Sequence, residues 1–184
     1  MTTQVKAMES KHFMEQYADE KSYPPVKVCG KNAMYANAML ANMASCSSEM
    51  SAVTLYVYNS LVTKPVWERA SACFHGISIV EMHHLDIFGQ LALMLGANPC
   101  YCSRQGRRMA FWNAGCNTYT RQLPALIKNA IQGENQAIDQ YYRQIQWIKD
   151  PYIVEMLKRI IMDEERHIAI FHQLYEELCS QNQA

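Results

Sequence analysis

The sequence predicts an all-α fold: a four-helix bundle of two antiparallel hairpins joined by one long crossover. Three observations lead there. Four long stretches carry apolar residues at helical spacing. The first and last links between them are short, whereas the middle one is long. Carboxylates and two histidines recur inside the apolar faces, all at one height.

The bulk properties narrow the class. A chain of 184 residues is long enough for one domain with a substantial core. Lys+Arg and Asp+Glu both number 17, giving a formal net charge of zero, which argues against a nucleic-acid or polybasic membrane binder. The N-terminal MTTQVKAMESKHFMEQ lacks the apolar stretch of a signal peptide, and no apolar run is long enough to span a bilayer. The expectation is a soluble cytoplasmic protein. Seven cysteines, at 29, 46, 73, 100, 102, 116 and 179, form an odd set with several in helical stretches, which argues against a disulfide framework. Without a Cys-x-x-Cys, the chain has no zinc-ribbon or rubredoxin-type iron site. Cys100-x-Cys102 reads as two reduced thiols in a connecting loop.

The elements follow in order. Residues 1–30 read as an N-terminal extension: the first twenty are a polar helix or disorder, and Tyr23-Pro24-Pro25 forces an extended backbone. Residues 31–180 form the bundle domain, led by a short Ala/Met/Leu-rich helix at 32–43. The first long helix spans about 46–62 with Ser45 as N-cap. The second begins at Pro65 or Val66 and runs to about 95, where Gly96 and Asn98-Pro99 end it. Residues 97–123 have no sustained period and read as a 27-residue loop with one helical turn at most. The third long helix covers about 124–149; Asp150-Pro151 caps the fourth, which runs to about 179.

The apolar faces are interrupted by charge. Two Glu-x-x-His motifs, Glu81–His84 and Glu164–His167, each turn a carboxylate and an imidazole to one side of a helix. Each is half of a metal site, and two halves with two further glutamates to bridge them describe a dinuclear centre inside a bundle. A third copy, Glu9–His12, lies in the polar N-terminal stretch with nothing to pair with. Counting from turns at 64 and 150, Glu49 lies 15 residues before the first and Glu81 17 after, while Glu134 lies 16 before the second and Glu164 14 after. All four carboxylates therefore sit about 21–26 Å from their turns, in one layer. The candidate ligands are Glu49, Glu81, His84, Glu134, Glu164 and His167. Tyr56, seven residues after Glu49, faces the same layer and is a candidate to hydrogen-bond a carboxylate there.

With SSEMSAVTLYVY, IVEMHHLDIFGQLALMLG and RIIMDEERHIAIF in place, residues 32–179 resemble the ferritin-like di-iron carboxylate superfamily. The resemblance is to its rubrerythrin-related branch, with manganese catalases as near relatives. It implies that the six residues are the metal ligands. It further implies that Asp163 accepts a hydrogen bond from the non-ligating nitrogen of His84. The matching position behind His167 is Val80, so that ring finds its support elsewhere. Two departures stand out: rubrerythrins carry a further carboxylate where this chain has Ala137, and usually a rubredoxin domain that this chain lacks.

The implied function is that of a non-haem di-iron oxidoreductase, a peroxidase reducing hydrogen peroxide or O2 with electrons from a separate donor protein. The implied cofactor is two Fe ions, with Mn as the alternative. Catalase-type disproportionation at two manganese ions is the second reading. A non-enzymatic iron-binding or coat-type protein is the third, although a cage-forming ferritin carries a fifth helix and only five residues follow Cys179. Arg104, Arg107 and Arg108 in the crossover are either a docking patch for an acidic donor or a solvated loop surface. His12, His75, His83 and His172 fall off the inward faces, and a homodimer is expected.

Overall fold

The computed structural model describes residues 16–106 and 108–181. The polar stretch with Glu9–His12, and Arg107 in the crossover, lie outside the described residues. The order is α1 (Ala33–Ala44), α2 (Glu49–Thr63), α3 (Glu68–Met94), strands β1 (Cys102–Gln105) and β2 (Arg108–Phe111), a 3-10 turn at Ala114–Cys116, α4 (Leu123–Trp147) and α5 (Pro151–Gln181). The most extensive packing joins α2 to α3 and α4 to α5, the two hairpins expected. Helix α1 lies against α3. The result is the helical, ferritin-like architecture.

The helix ends differ from the sequence reading in instructive ways. Helix α2 starts at Glu49, three residues later than expected, with Ser48 in the cap position. The Ser48 hydroxyl donates to the Ser45 carbonyl instead of capping its own helix, and Cys46 is held in a disulfide. Pro65 lies in the turn before α3 and not in its first helical turn, since α3 starts at Glu68. Elsewhere local chemistry explains the boundaries. Asn32 caps α1, accepting from the backbone of Met34 and Tyr35. Asp150 caps α5, its Oδ1 accepting from Tyr152 N at 3.1 Å. Gly96 follows α3 with φ at 97°, a conformation that favours glycine.

The crossover is more ordered than its sequence suggested. Cys102 to Gln105 pair antiparallel with Phe111 to Arg108, and Gly106 turns the hairpin at φ 62°. The 3-10 turn follows, and Cys116 is bridged to Cys46 across 70 residues of sequence. The odd cysteine count argued against a disulfide framework, yet this one bridge forms. Trp112 Nε1 also donates to Ser51 Oγ, and Asn117 Nδ2 to Ser51 O and Thr54 Oγ1, so the crossover is stitched to the start of α2. Helix periodicity reads neither a short hairpin nor a long-range bridge.

Two apolar cores fill the bundle. One gathers Met39, Met43, Phe88, Leu91, Ile153 and Leu157 beneath α1. The other gathers Phe74, Ile77, Val80, Leu126, Phe171 and Leu174 at the opposite end. A polar knot of Asn42, Gln140 and Gln144 ties α1 to α4 through three amide hydrogen bonds. Residues 16–30 lie along α3 and α5: Tyr17 and Ala18 join the second core, and Tyr23, Val26 and Val28 pack against the first.

Gly76 makes room for that segment. A Cβ there would fall 2.2 Å from the Tyr17 ring. Gly76→Ala should therefore displace Tyr17 and destabilise the fold by about 1–3 kcal/mol, seen as a lower urea midpoint. An unchanged midpoint would mean that the ring relocates at no cost.

Candidate metal centre

The six predicted ligands converge in the layer between the two cores. Glu49 comes from α2, Glu81 and His84 from α3, Glu134 from α4, and Glu164 and His167 from α5. All six are at most 2 % exposed. They divide into two overlapping groups: Glu49, Glu81, His84 and Glu164, and Glu81, Glu134, Glu164 and His167. In each group one potential ligand atom per residue lies within 4.8 Å of all the others.

The overlap corrects one detail. The sequence assigned bridging to the two glutamates outside the motifs. The carboxylates common to both groups are instead Glu81 and Glu164, the motif glutamates. Each splits its oxygens between the histidines. Glu81 places Oε2 3.2 Å from His84 Nδ1 and Oε1 3.0 Å from His167 Nδ1. Glu164 places Oε1 3.4 Å from His84 Nδ1 and Oε2 3.0 Å from His167 Nδ1. Glu49 approaches only His84, at 3.9 Å, and Glu134 only His167, at 3.5 Å. Sequence spacing sets the height of a carboxylate but not which of its oxygens reaches across.

The supporting contacts are unequal on the two sides. His84 Nε2 lies 3.0 Å from Asp163 Oδ2 and 3.1 Å from the Tyr23 hydroxyl, which itself donates to Asp163 Oδ2. With the ring proton on Nε2, Nδ1 turns its lone pair to the cluster. Asp163 is held in turn by Arg159 at 2.7 Å and by the backbone N of Asp19 at 2.7 Å. The Arg159 guanidinium stacks 4.0 Å over the Tyr23 ring and donates to the carbonyls of Asp19 and Lys21. Behind His167, in contrast, Nε2 has no hydrogen-bond partner among the described residues. Val80 is fully buried in apolar surroundings.

Two tyrosines complete a pseudo-twofold pattern. Tyr56 donates to Glu134 Oε1 at 2.7 Å, and Tyr141 donates to Glu49 Oε1. Each stands seven residues after the glutamate of its own helix and bonds the glutamate of the other. The reading of Tyr56 contained the signal for Tyr141, since the same offset from Glu134 gives it. Tyr23 and Arg159 had no comparable signal, because their link to His84 runs through tertiary contact.

The protonation pattern is that of a site built for cations. Burial, reinforced by the Glu81 and Glu164 charges, pushes the Glu134 carboxyl up to about 8. Burial and the Glu81 charge likewise push Glu49 well above the carboxylate range. Burial also opposes ionisation of Glu81, but the His167 and His84 imidazoles beside it outweigh that and hold the carboxyl low. Burial opposes charging of both histidines, yet the surrounding carboxylates raise His84 and His167 well above the usual imidazole value. A buried cluster of carboxylates thus favours positive charge beside it. Glu81 Oε1, both Glu164 oxygens and His167 Nδ1 are buried without a hydrogen bond, as suits atoms that coordinate a cation. Four carboxylates and two imidazoles suit two divalent iron or manganese ions.

A cavity of about 240 Å³ reaches this layer between α2, α4 and the crossover. Glu49, Tyr56, Glu134 and Ala137 line it, together with Cys46 and Cys116. Arg104 and Arg108 lie exposed on the hairpin.

The family model described as Rubrerythrin matches residues 43–175, and the chain belongs to that family. Two solved structures of KatB, a manganese catalase from Anabaena, one of them described as wild type, each have a TM-score of 0.77 and 18 % identity to this chain. Each alignment covers 88 % of this chain and 80 % of the catalase. At that identity the likeness is one of fold. No curated protein matches the chain. Among the described residues no helix is long and apolar enough to cross a membrane.

Two outcomes test the site. Adding divalent iron or manganese to metal-free protein in weak buffer near pH 7 should release protons, because metals displace those held by Glu49, Glu134 and the imidazoles. Metal affinity should accordingly weaken as pH falls below about 8, the value for Glu134; a pH-independent affinity would contradict the assignment. Tyr23→Phe should lower metal affinity by about tenfold through loss of support for Asp163 and His84, read by competition with a chelator.

Proposed function

We propose that the protein is a dinuclear-metal oxidoreductase that reduces hydrogen peroxide, and O2 as a secondary substrate, with electrons from a separate donor protein. The observation that carries this reading is the pair of overlapping ligand groups sharing Glu81 and Glu164, reached by a small cavity. Glu81 and Glu164 would bridge two metal ions, Glu49 and His84 would complete one position, and Glu134 and His167 the other. Iron is our first assignment and manganese the alternative. Such a pair of ions supplies two electrons to an O–O bond, one from each metal.

The chain's own groups do the rest. The cavity admits a molecule of peroxide size and brings it to the Glu49–Glu134 side of the cluster. Tyr56 lines that cavity, and burial together with the Glu134 charge raises its pKa well above the ordinary phenol value. Tyr56 therefore holds a proton at its oxygen beside the place where peroxide would sit, and reduction to water consumes two protons. Tyr141 is absent from the cavity wall and serves to fix Glu49. Asp163, Tyr23 and Arg159 fix His84.

Ala137 lines the cavity where rubrerythrins carry another carboxylate. Together with the fold shared with a manganese catalase, this favours one second reading: disproportionation of peroxide at two manganese ions, without a reductant. The external donor, a cytoplasmic location and a homodimer belong to the same proposal. Met82, Leu93 and Met94, exposed on α3, support the homodimer.

Glu81→Ala should abolish dinuclear binding, since it removes a carboxylate common to both positions; two tightly bound metals in that variant would sink the assignment. Protein loaded with iron or with manganese should then be given peroxide with and without reductant. Loss that needs iron and reductant supports the peroxidase, loss with manganese alone supports the catalase, and inertness in both contradicts an enzyme. Tyr56→Phe should keep both metals while lowering turnover by about 10–100-fold.

A further inference from the structure

The disulfide occupies an unexpected place. Cys46 lies three residues before Glu49, and Cys116 ends the 3-10 turn of the crossover. Both line the cavity whose other walls include Glu49, Tyr56 and Glu134. Cys46 is exposed and Cys116 half-buried, so the bond is open to an external thiol. Exposed disulfides are the exchangeable ones. The bridge is also not needed to hold its loop. The same junction is fastened by Trp112 to Ser51 and by Asn117 to Ser51 and Thr54. Reduction therefore leaves the cavity in place and puts two thiols in its wall.

We propose that Cys46 and Cys116 are a redox-active pair sharing the peroxide cavity of the metal centre, reduced by an external dithiol and re-oxidised by peroxide. This rests on the reading of the cavity as the peroxide route. The steps balance. An external dithiol exchanges with the bridge, leaving as its own disulfide and depositing two electrons and two protons on the cysteine sulfurs. The reduced pair then gives up both when peroxide is cleaved: two thiols and one H2O2 yield one disulfide and two waters. The pair is thereby a port for the two electrons that the proposed reaction consumes, and a dithiol protein is the class of donor that fits it.

The test follows the cysteines directly. Metal-loaded protein is reduced with dithiothreitol, freed of it, given one equivalent of hydrogen peroxide, quenched by alkylation and mapped by mass spectrometry. Cys46 and Cys116 should lose both thiols and appear as one linked peptide pair, while the exposed Cys29 and Cys179 stay alkylated. The proposal is overturned if the bridge resists dithiothreitol in the folded protein, or if Cys46 and Cys116 oxidise no faster than Cys29 and Cys179. The double variant Cys46→Ser/Cys116→Ser should retain two metals by elemental analysis but lose dithiol-driven peroxide consumption by about tenfold or more. Turnover equal to wild type overturns the pair's role and leaves the metal reading standing. Metal-loaded wild-type protein inert towards peroxide with every donor would instead remove that reading, and the thiol map still decides the pair.

Discussion

Everything in this fold answers to one electrostatic constraint: four carboxylates buried between two apolar cores. Within each ligand group the carboxylates lie under 5 Å apart, and at an effective dielectric of about 20 such a pair of like charges repels by about 3–4 kcal/mol. Helices α2 to α5 each contribute a member, so the bundle cannot close around them as anions alone. The chain meets this with protons, held on Glu134, Glu49 and the imidazoles. Two divalent cations would neutralise the same four charges, and the unpaired oxygens of Glu81 and Glu164 are arranged for that exchange.

The layer is also where structure is most tightly cross-braced. Tyr56 and Tyr141 exchange hydrogen bonds between α2 and α4, binding the two hairpins through their glutamates. On one flank, residues 19–23 close over His84 through Asp163 and Arg159. The flank behind His167 has Val80 in place of a carboxylate. The two halves, alike in ligands, therefore differ in support, and the His84 half is the more firmly oriented. That asymmetry would give two metal positions different surroundings in a nearly symmetric ligand set.

Much of this was legible in the sequence because helices convert spacing into geometry. The positions of Glu49, Glu81, Glu134 and Glu164 relative to two turns were enough to place them at one height, and the apolar faces around them marked burial. Asp163 came from resemblance, and the structure sets it against His84. What escaped was information not carried by period or height. The sharing of Glu81 and Glu164 depends on where individual oxygens point. Tyr23 and Arg159 meet only after the N-terminal segment folds onto α3 and α5. The hairpin at 102–111 is too short for its alternation to stand out, and the Cys46–Cys116 bond joins residues whose helical surroundings and odd cysteine count argued for free thiols.

The central claim is that two metal ions sit in this layer, both touched by Glu81 and Glu164. Anomalous diffraction from crystals of metal-loaded protein, with data on either side of the iron or manganese edge, tests it most directly. The account predicts two peaks about 3.5–4 Å apart, one beside Glu49 and His84 and one beside Glu134 and His167, with the Glu81 and Glu164 carboxylates between them. A single peak, or two peaks with Glu49 and Glu134 between them, would contradict it.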